Sequence, residues 1–148
     1  MTVSRDVSAP RQVAWDVVAD GWTYSQWVVG NSRIRAVDRD WPAPGTRIEH
    51  SIGVWPLVID DMTLSLECVP QEEVVLLAKM GSVGAARVTL RFSDVPGGCR
   101  VEMGEVPAEG PINLLPDRLA QLAMDVRNRE CLWRLEQLAV AREPSEVD

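Results

Sequence analysis

The sequence is sparing with every aromatic residue but one: a single Phe and a single Tyr stand against six Trp in 148 residues. It has one His and three Cys, with no CxxC or mixed Cys/His spacing of the kind that builds a zinc site. Cys68, Cys99 and Cys131 are odd in number and far apart, so free thiols in a reducing compartment are expected. No apolar run approaches the ~18–20 residues of a membrane span, and the stretch MTVSRDVSAPRQ has no apolar signal core. An excess of positive charge is missing too. The formal charge of −7 disfavours a nucleic-acid groove or an anionic membrane as partner. No glycine-rich phosphate loop appears; Gly81, Gly84, Gly97 and Gly98 read as hairpin turns. These absences point to a soluble cytoplasmic protein without metal or other cofactor.

What is present reads as one globular domain over residues 1–142, followed by an acidic flexible tail at 143–148. TVSRDVS alternates as a first strand. SAPRQVAWDVVAD reads as a helix with one apolar arc of Val13, Ala14, Val17 and Val18, and WTYSQWVV as a second short helix ending at Gly30. From residue 33 to 106 the apolar period changes to two, giving about six strands joined by hairpin-length turns. Pro116 then opens a long helix to about Arg142. That helix carries two apolar arcs: Leu115, Leu119, Leu122, Val126 and Trp133 on one side, and Met124, Cys131, Leu135 and Leu138 nearly opposite. One arc can pack on a sheet; the other must meet protein or a ligand.

The order of these elements resembles the helix-grip superfamily (SRPBCC), which includes polyketide cyclases, START lipid-transfer domains and the birch-pollen allergen type. The blocks that carry the resemblance are SAPRQVAWDVVAD, WVVGNSRIRAVDRDWPAPGTRIEHSIGVWP, VEMGE ahead of GP, and RNRECLWRL. It covers residues 3–140 and is strongest to bacterial single-domain, polyketide cyclase/dehydrase-like members. The resemblance implies an α+β fold: a strongly curved antiparallel sheet of about seven strands wrapped around the long C-terminal helix, with two short helices between strands 1 and 2. It also implies a deep, mostly apolar cavity between the sheet and that helix.

Candidate site residues follow from strand parity within that frame. His50 shares a face with Thr46, Ile48 and Ile52, and Glu105 with Val101 and Met103, so both are expected to point inward. Asp60 is assigned to the inner face with Val58, Met62, Leu64 and Leu66; a bulge at Asp60–Asp61 would exchange the two carboxylates. His50, Glu105 and Asp60 are the candidate acid–base groups, with Arg127 and Asn128 as partners for a buried carboxylate. A hydrogen-bonded core histidine and a polar lock between helix and sheet are the competing readings of the same residues. Trp22 and Trp27 either plug the core end of the sheet or place one ring at the cavity rim. Trp55, Met62, Met80, Met103, Met124, Cys131 and Leu135 complete the candidate ligand-binding set, with ordinary core as the alternative for each.

Three functions fit this reading. The first is binding or transport of a small hydrophobic molecule such as a lipid, polyketide or isoprenoid-like compound. The second is a cyclase, aromatase or dehydratase acting on a polyketide-type substrate. The third is a protein-interaction module or homodimer built on the outer arc of the last helix.

Overall fold

A computed structural model describes residues 2–54, 56–114 and 116–142 of the chain. Trp55, Leu115 and the expected acidic tail lie outside the described residues. The first strand, β1 (Thr2–Val7), buries Val3 and Val7 while Thr2, Ser4 and Asp6 face solvent. α1 (Arg11–Ala19) buries Ala14, Trp15, Val17 and Val18 on one face. A single 3-10 turn, Gly21–Thr23, follows, and the Asp20 carboxylate accepts its first free N–H from Trp22, satisfying an otherwise orphaned donor. Gly21 is needed here: a Cβ would lie 2.6 Å from the Val37 side chain. α2 (Tyr24–Trp27) is one turn long.

Six strands then form a continuous meander: β2 (Asn31–Val37), β3 (Arg47–Val54), β4 (Leu57–Val69), β5 (Glu73–Lys79), β6 (Ala85–Val95) and β7 (Gly98–Glu109). The seven strands lie in the order β1-β7-β6-β5-β4-β3-β2, each pair antiparallel. The inner face of β6 buries Ala86, Val88, Leu90 and Phe92, and that of β7 buries Cys99, Val101, Met103 and Glu105. α3 (Asp117–Arg142) packs against β1, β7, α1 and α2. Cys131, Leu132, Leu135 and Ala139 are its buried apolar face, which closes the core against Trp15, Trp27 and the β6–β7 side chains. The expected architecture is therefore the observed one.

One strand departs from its expected orientation. On β4 it is Thr63 and Ser65 that are buried, at 0% and 1% exposure, while Asp60 and Leu66 are exposed. The register with β3 explains this: His50 pairs with Asp61 and Ile48 with Thr63, and residues directly opposite share a face. Asp60, Met62, Leu64 and Leu66 thus belong to the outer face. Their apolar alternation is real but points the wrong way, because the inner face of this strand is polar where it meets His50.

Candidate functional site

Between the inner faces of β3, β4 and β5, the Glu105 position of β7 and the first half of α3 lies a partly open cavity of about 300 Å³. That is the volume of roughly ten water molecules at about 30 Å³ each. Ile52, Ala78, Met80, Ala120, Ala123 and Met124 supply apolar walls. Ala120 and Ala123 leave room because their side chains end at Cβ.

Most polar groups of the cavity form two clusters, with Asn31 and Lys79 lining it outside them. In the first, His50 is 2% exposed and its Nε2 lies 2.8 Å from Thr63 Oγ. The Tyr24 hydroxyl lies 3.3 Å from the same oxygen, and the phenol ring stacks on the imidazole with centroids 5.8 Å apart. Burial pushes the His50 pKa down to about 4 and the Tyr24 pKa up to about 12. Near neutral pH both groups are therefore uncharged, and the imidazole holds one proton. His50 Nδ1 has no partner among the described residues. If Tyr24 donates to Thr63 and Thr63 donates to Nε2, only the Nδ1–H is left over. The opposite direction also strands the phenol proton. The first order satisfies more buried groups and sets the Nδ1–H tautomer.

In the second cluster, Glu105 is 5% exposed and accepts a hydrogen bond from Arg127 Nη1 at 3.1 Å. The same guanidinium donates through Nε to the Val29 carbonyl at 3.0 Å and reaches Asn128 Oδ1 at 3.4 Å. Arg127 thereby ties β7 and the end of α2 to α3, and its charge compensates a carboxylate placed against apolar walls. Asn31 also lines the cavity, and its Oδ1 is buried without a partner among the described residues.

Of the residues singled out from the sequence, the fold brings His50, Glu105, Met80, Met124 and Arg127 to the cavity wall. Asp60 is not there: its side chain is 65% exposed, accepts from Ser51 Oγ at 2.8 Å and faces Arg35 at 3.6 Å on the outer surface. Met62 belongs to the same outer face. Trp22 is 59% exposed. Trp27 is fully buried and meets Tyr24 edge-on at 5.5 Å, with its Nε1 unpartnered among the described residues. Met103, Asn128, Cys131 and Leu135 are core, and Cys131 Sγ accepts the Val29 N–H at 3.3 Å. Tyr24 and Thr63 were missed. Tyr24, the only tyrosine, sits between the two tryptophans that drew attention, and it is the aromatic that reaches the cavity.

Comparison with known proteins bears on the fold. No protein-family model matches the chain, and no curated protein matches it in sequence. Among solved structures it is similar to protein NE0264 from Nitrosomonas europaea, with a TM-score of 0.71 and 13% identity over 97% of this chain and 95% of that one. It is similar to Ara h 8.0201 with a TM-score of 0.71 and 10% identity, over 96% of this chain and 97% of that one. The chain has the helix-grip fold. A third similar structure is the di-domain ARO/CYC BexL from the BE-7585A biosynthetic pathway. There the TM-score is 0.73 at 14% identity, and the match spans 97% of this chain but 50% of that one, so the helix-grip unit corresponds to half of the larger protein. Within the described residues of this helix-grip chain no group of three His, Cys, Asp or Glu side chains is placed to hold a metal ion, and no helix is long and apolar enough to cross a membrane.

Proposed function

We propose that the protein binds a small hydrophobic molecule, lipid-, polyketide- or isoprenoid-like, in the cavity between α3 and the sheet. The observation that carries this reading is the cavity itself, about 300 Å³ with walls of Ile52, Met80, Ala120 and Met124. A cavity of this kind with a few convergent polar groups is the usual form of a small-molecule site. The resemblance to Ara h 8.0201 and to an ARO/CYC protein supports the fold on which the reading depends. Three free thiols fit a cytoplasmic setting. Native mass spectrometry of protein purified from its own host tests the proposal: a stoichiometric small-molecule adduct that Ala120→Phe abolishes is expected. A wild-type protein that takes up no member of a lipid and polyketide-mimic panel would sink it.

A second reading is favoured by one observation. Tyr24, Thr63, His50 and Glu105 place proton-carrying groups in the same cavity, as a cyclase or dehydratase would need. At neutral pH burial keeps His50 uncharged and Tyr24 protonated, so a substrate oxygen that takes the Tyr24 hydrogen bond does so in place of Thr63. If the adduct is a keto-compound, turnover that Tyr24→Phe removes while binding persists distinguishes this enzyme from a carrier; unchanged substrate in both proteins dismisses it.

A further inference from the structure

Two buried polar atoms on neighbouring strands have no partner among the described residues: His50 Nδ1 on β3 and Asn31 Oδ1 on β2. Both residues line the cavity. Asn31 pairs with Ile52, and Ile52, also a lining residue, shares the inner face of β3 with His50 two positions away. Asn31 and His50 are thus diagonal neighbours, a placement about 7–8 Å apart in a sheet, close enough for two side chains to converge on one atom. The two nitrogens of an imidazole point away from each other. With Nε2 turned to Thr63 on β4, Nδ1 is directed away from that strand, and the strand on the other side of β3 is β2.

The two atoms need opposite partners. Near neutral pH burial keeps His50 uncharged, and in the tautomer that the Tyr24 and Thr63 contacts favour its Nδ1 carries the proton and donates. Asn31 Oδ1 accepts. A hydroxyl group meets both at once: its oxygen takes the Nδ1–H, and its own proton goes to Oδ1. Tyr24, Thr63, His50, the ligand hydroxyl and Asn31 then form one directed chain in which each link polarises the next. Other chemistries leave something unmet. A bare hydrocarbon pairs neither atom, and an ether or ketone oxygen meets Asn31 Oδ1 acceptor to acceptor. A carboxylate sets its charge against the same oxygen, in a cavity that already holds Glu105. An ammonium donates to Asn31 but turns its hydrogens on the Nδ1–H, in a cavity that already holds Arg127.

Given a cavity that takes a hydrophobic molecule, as proposed above, we infer that its ligand is an alcohol or phenol. The hydroxyl sits between His50 Nδ1 and Asn31 Oδ1, and the carbon skeleton lies against Ile52, Met80 and Met124. Isothermal titration calorimetry of the full chain near neutral pH tests this with 2-naphthol, the similarly shaped but more apolar 2-methylnaphthalene, and 2-naphthoate. Wild type should bind 2-naphthol about tenfold or more tightly than 2-methylnaphthalene, because only the hydroxyl pairs the two buried groups. It should also bind 2-naphthol more tightly than 2-naphthoate. Asn31→Ala should lose the preference for 2-naphthol over 2-methylnaphthalene while still binding the latter. His50 is the only histidine, so nitrogen-15 NMR reads its tautomer alone, and the Nδ1–H form is expected in the 2-naphthol complex. Equal affinity for 2-naphthol and 2-methylnaphthalene, or tighter binding of 2-naphthoate than of 2-naphthol, overturns the hydroxyl assignment and leaves the cavity reading standing. An Nε2–H tautomer in the complex, or a preference that survives Asn31→Ala, does the same. A wild type that binds none of the probes overturns both.

Discussion

Thr63→Val removes one oxygen from the centre of the cavity wall and leaves the shape of the side chain nearly unchanged. That oxygen is the shared partner of Tyr24 and His50, and Thr63 is 0% exposed, so water does not take its place without rearrangement. The substitution leaves the Tyr24 hydroxyl and His50 Nε2 buried and unpaired, and an unsatisfied buried group costs about 1–3 kcal/mol. Two such groups give an expected loss of about 2–6 kcal/mol, where a valine at an ordinary β-strand position would be near neutral. For a chain of this length each kcal/mol moves Tm by about 2–4 °C, so a fall of roughly 4–24 °C is predicted. Urea unfolding read by tryptophan fluorescence measures the free-energy loss, and thermal unfolding the fall in Tm. Adding Tyr24→Phe removes one of the stranded groups, so the double variant should be more stable than the sum of the two single losses predicts. A Thr63→Val protein within about 0.5 kcal/mol of wild type, a typical surface-substitution effect, would refute the buried relay.

Three other predictions concern the same cavity wall. Arg127→Ala leaves Glu105 unpaired; breaking a buried pair costs about 3–5 kcal/mol, and because Arg127 is itself 33% exposed a loss near the low end is expected in urea unfolding. Arg127→Met combined with Glu105→Leu should recover most of it. His50 titrates at about 4 when folded because burial opposes its charge, below its ordinary value of about 6.5. The unfolded chain therefore takes up the proton first, and stability present above pH 6.5 is lost as pH falls toward 4, by about 3 kcal/mol at 1.36 kcal/mol per pKa unit. A pH series of unfolding curves should show that slope, and His50→Gln should flatten it. Tyr24 is the only tyrosine, so alkaline difference spectroscopy reads it alone: no tyrosinate signal before about pH 12 in the folded protein, and an ordinary titration near pH 10 once unfolded.

The fold was legible because its signals were redundant. A helix with a single apolar arc, a long stretch of period-two pattern and a terminal helix opened by Pro116 leave few arrangements for one small domain. His50 and Glu105 were legible for a similar reason, since their strands alternate cleanly and β7 keeps one parity through Cys99, Val101, Met103 and Glu105. β4 was not. Its larger apolar residues, Met62, Leu64 and Leu66, sit on the outer face, while Thr63 and Ser65 serve the inner one, so hydrophobicity gave the wrong side and Asp60 went with it. Only the register with β3, a long-range fact, corrects this. Tyr24 was overlooked because a one-turn helix has no periodicity to read, and the two tryptophans beside it are larger. One of them, Trp22, turned out to point at solvent. The outer stripe of α3 was legible as an arc needing a partner; its exposure along the whole helix is what the structure adds.

The most direct test of the account is fluorescence titration with 8-anilinonaphthalene-1-sulfonate, comparing wild type with Ala120→Phe, which fills the cavity from α3, and with Val126→Glu, which alters only its outer face. Binding by wild type and Val126→Glu that saturates at one probe per chain, together with its loss in a folded Ala120→Phe protein, is the predicted result. Equal binding by all three, or none by wild type, would contradict a ligand cavity between α3 and the sheet.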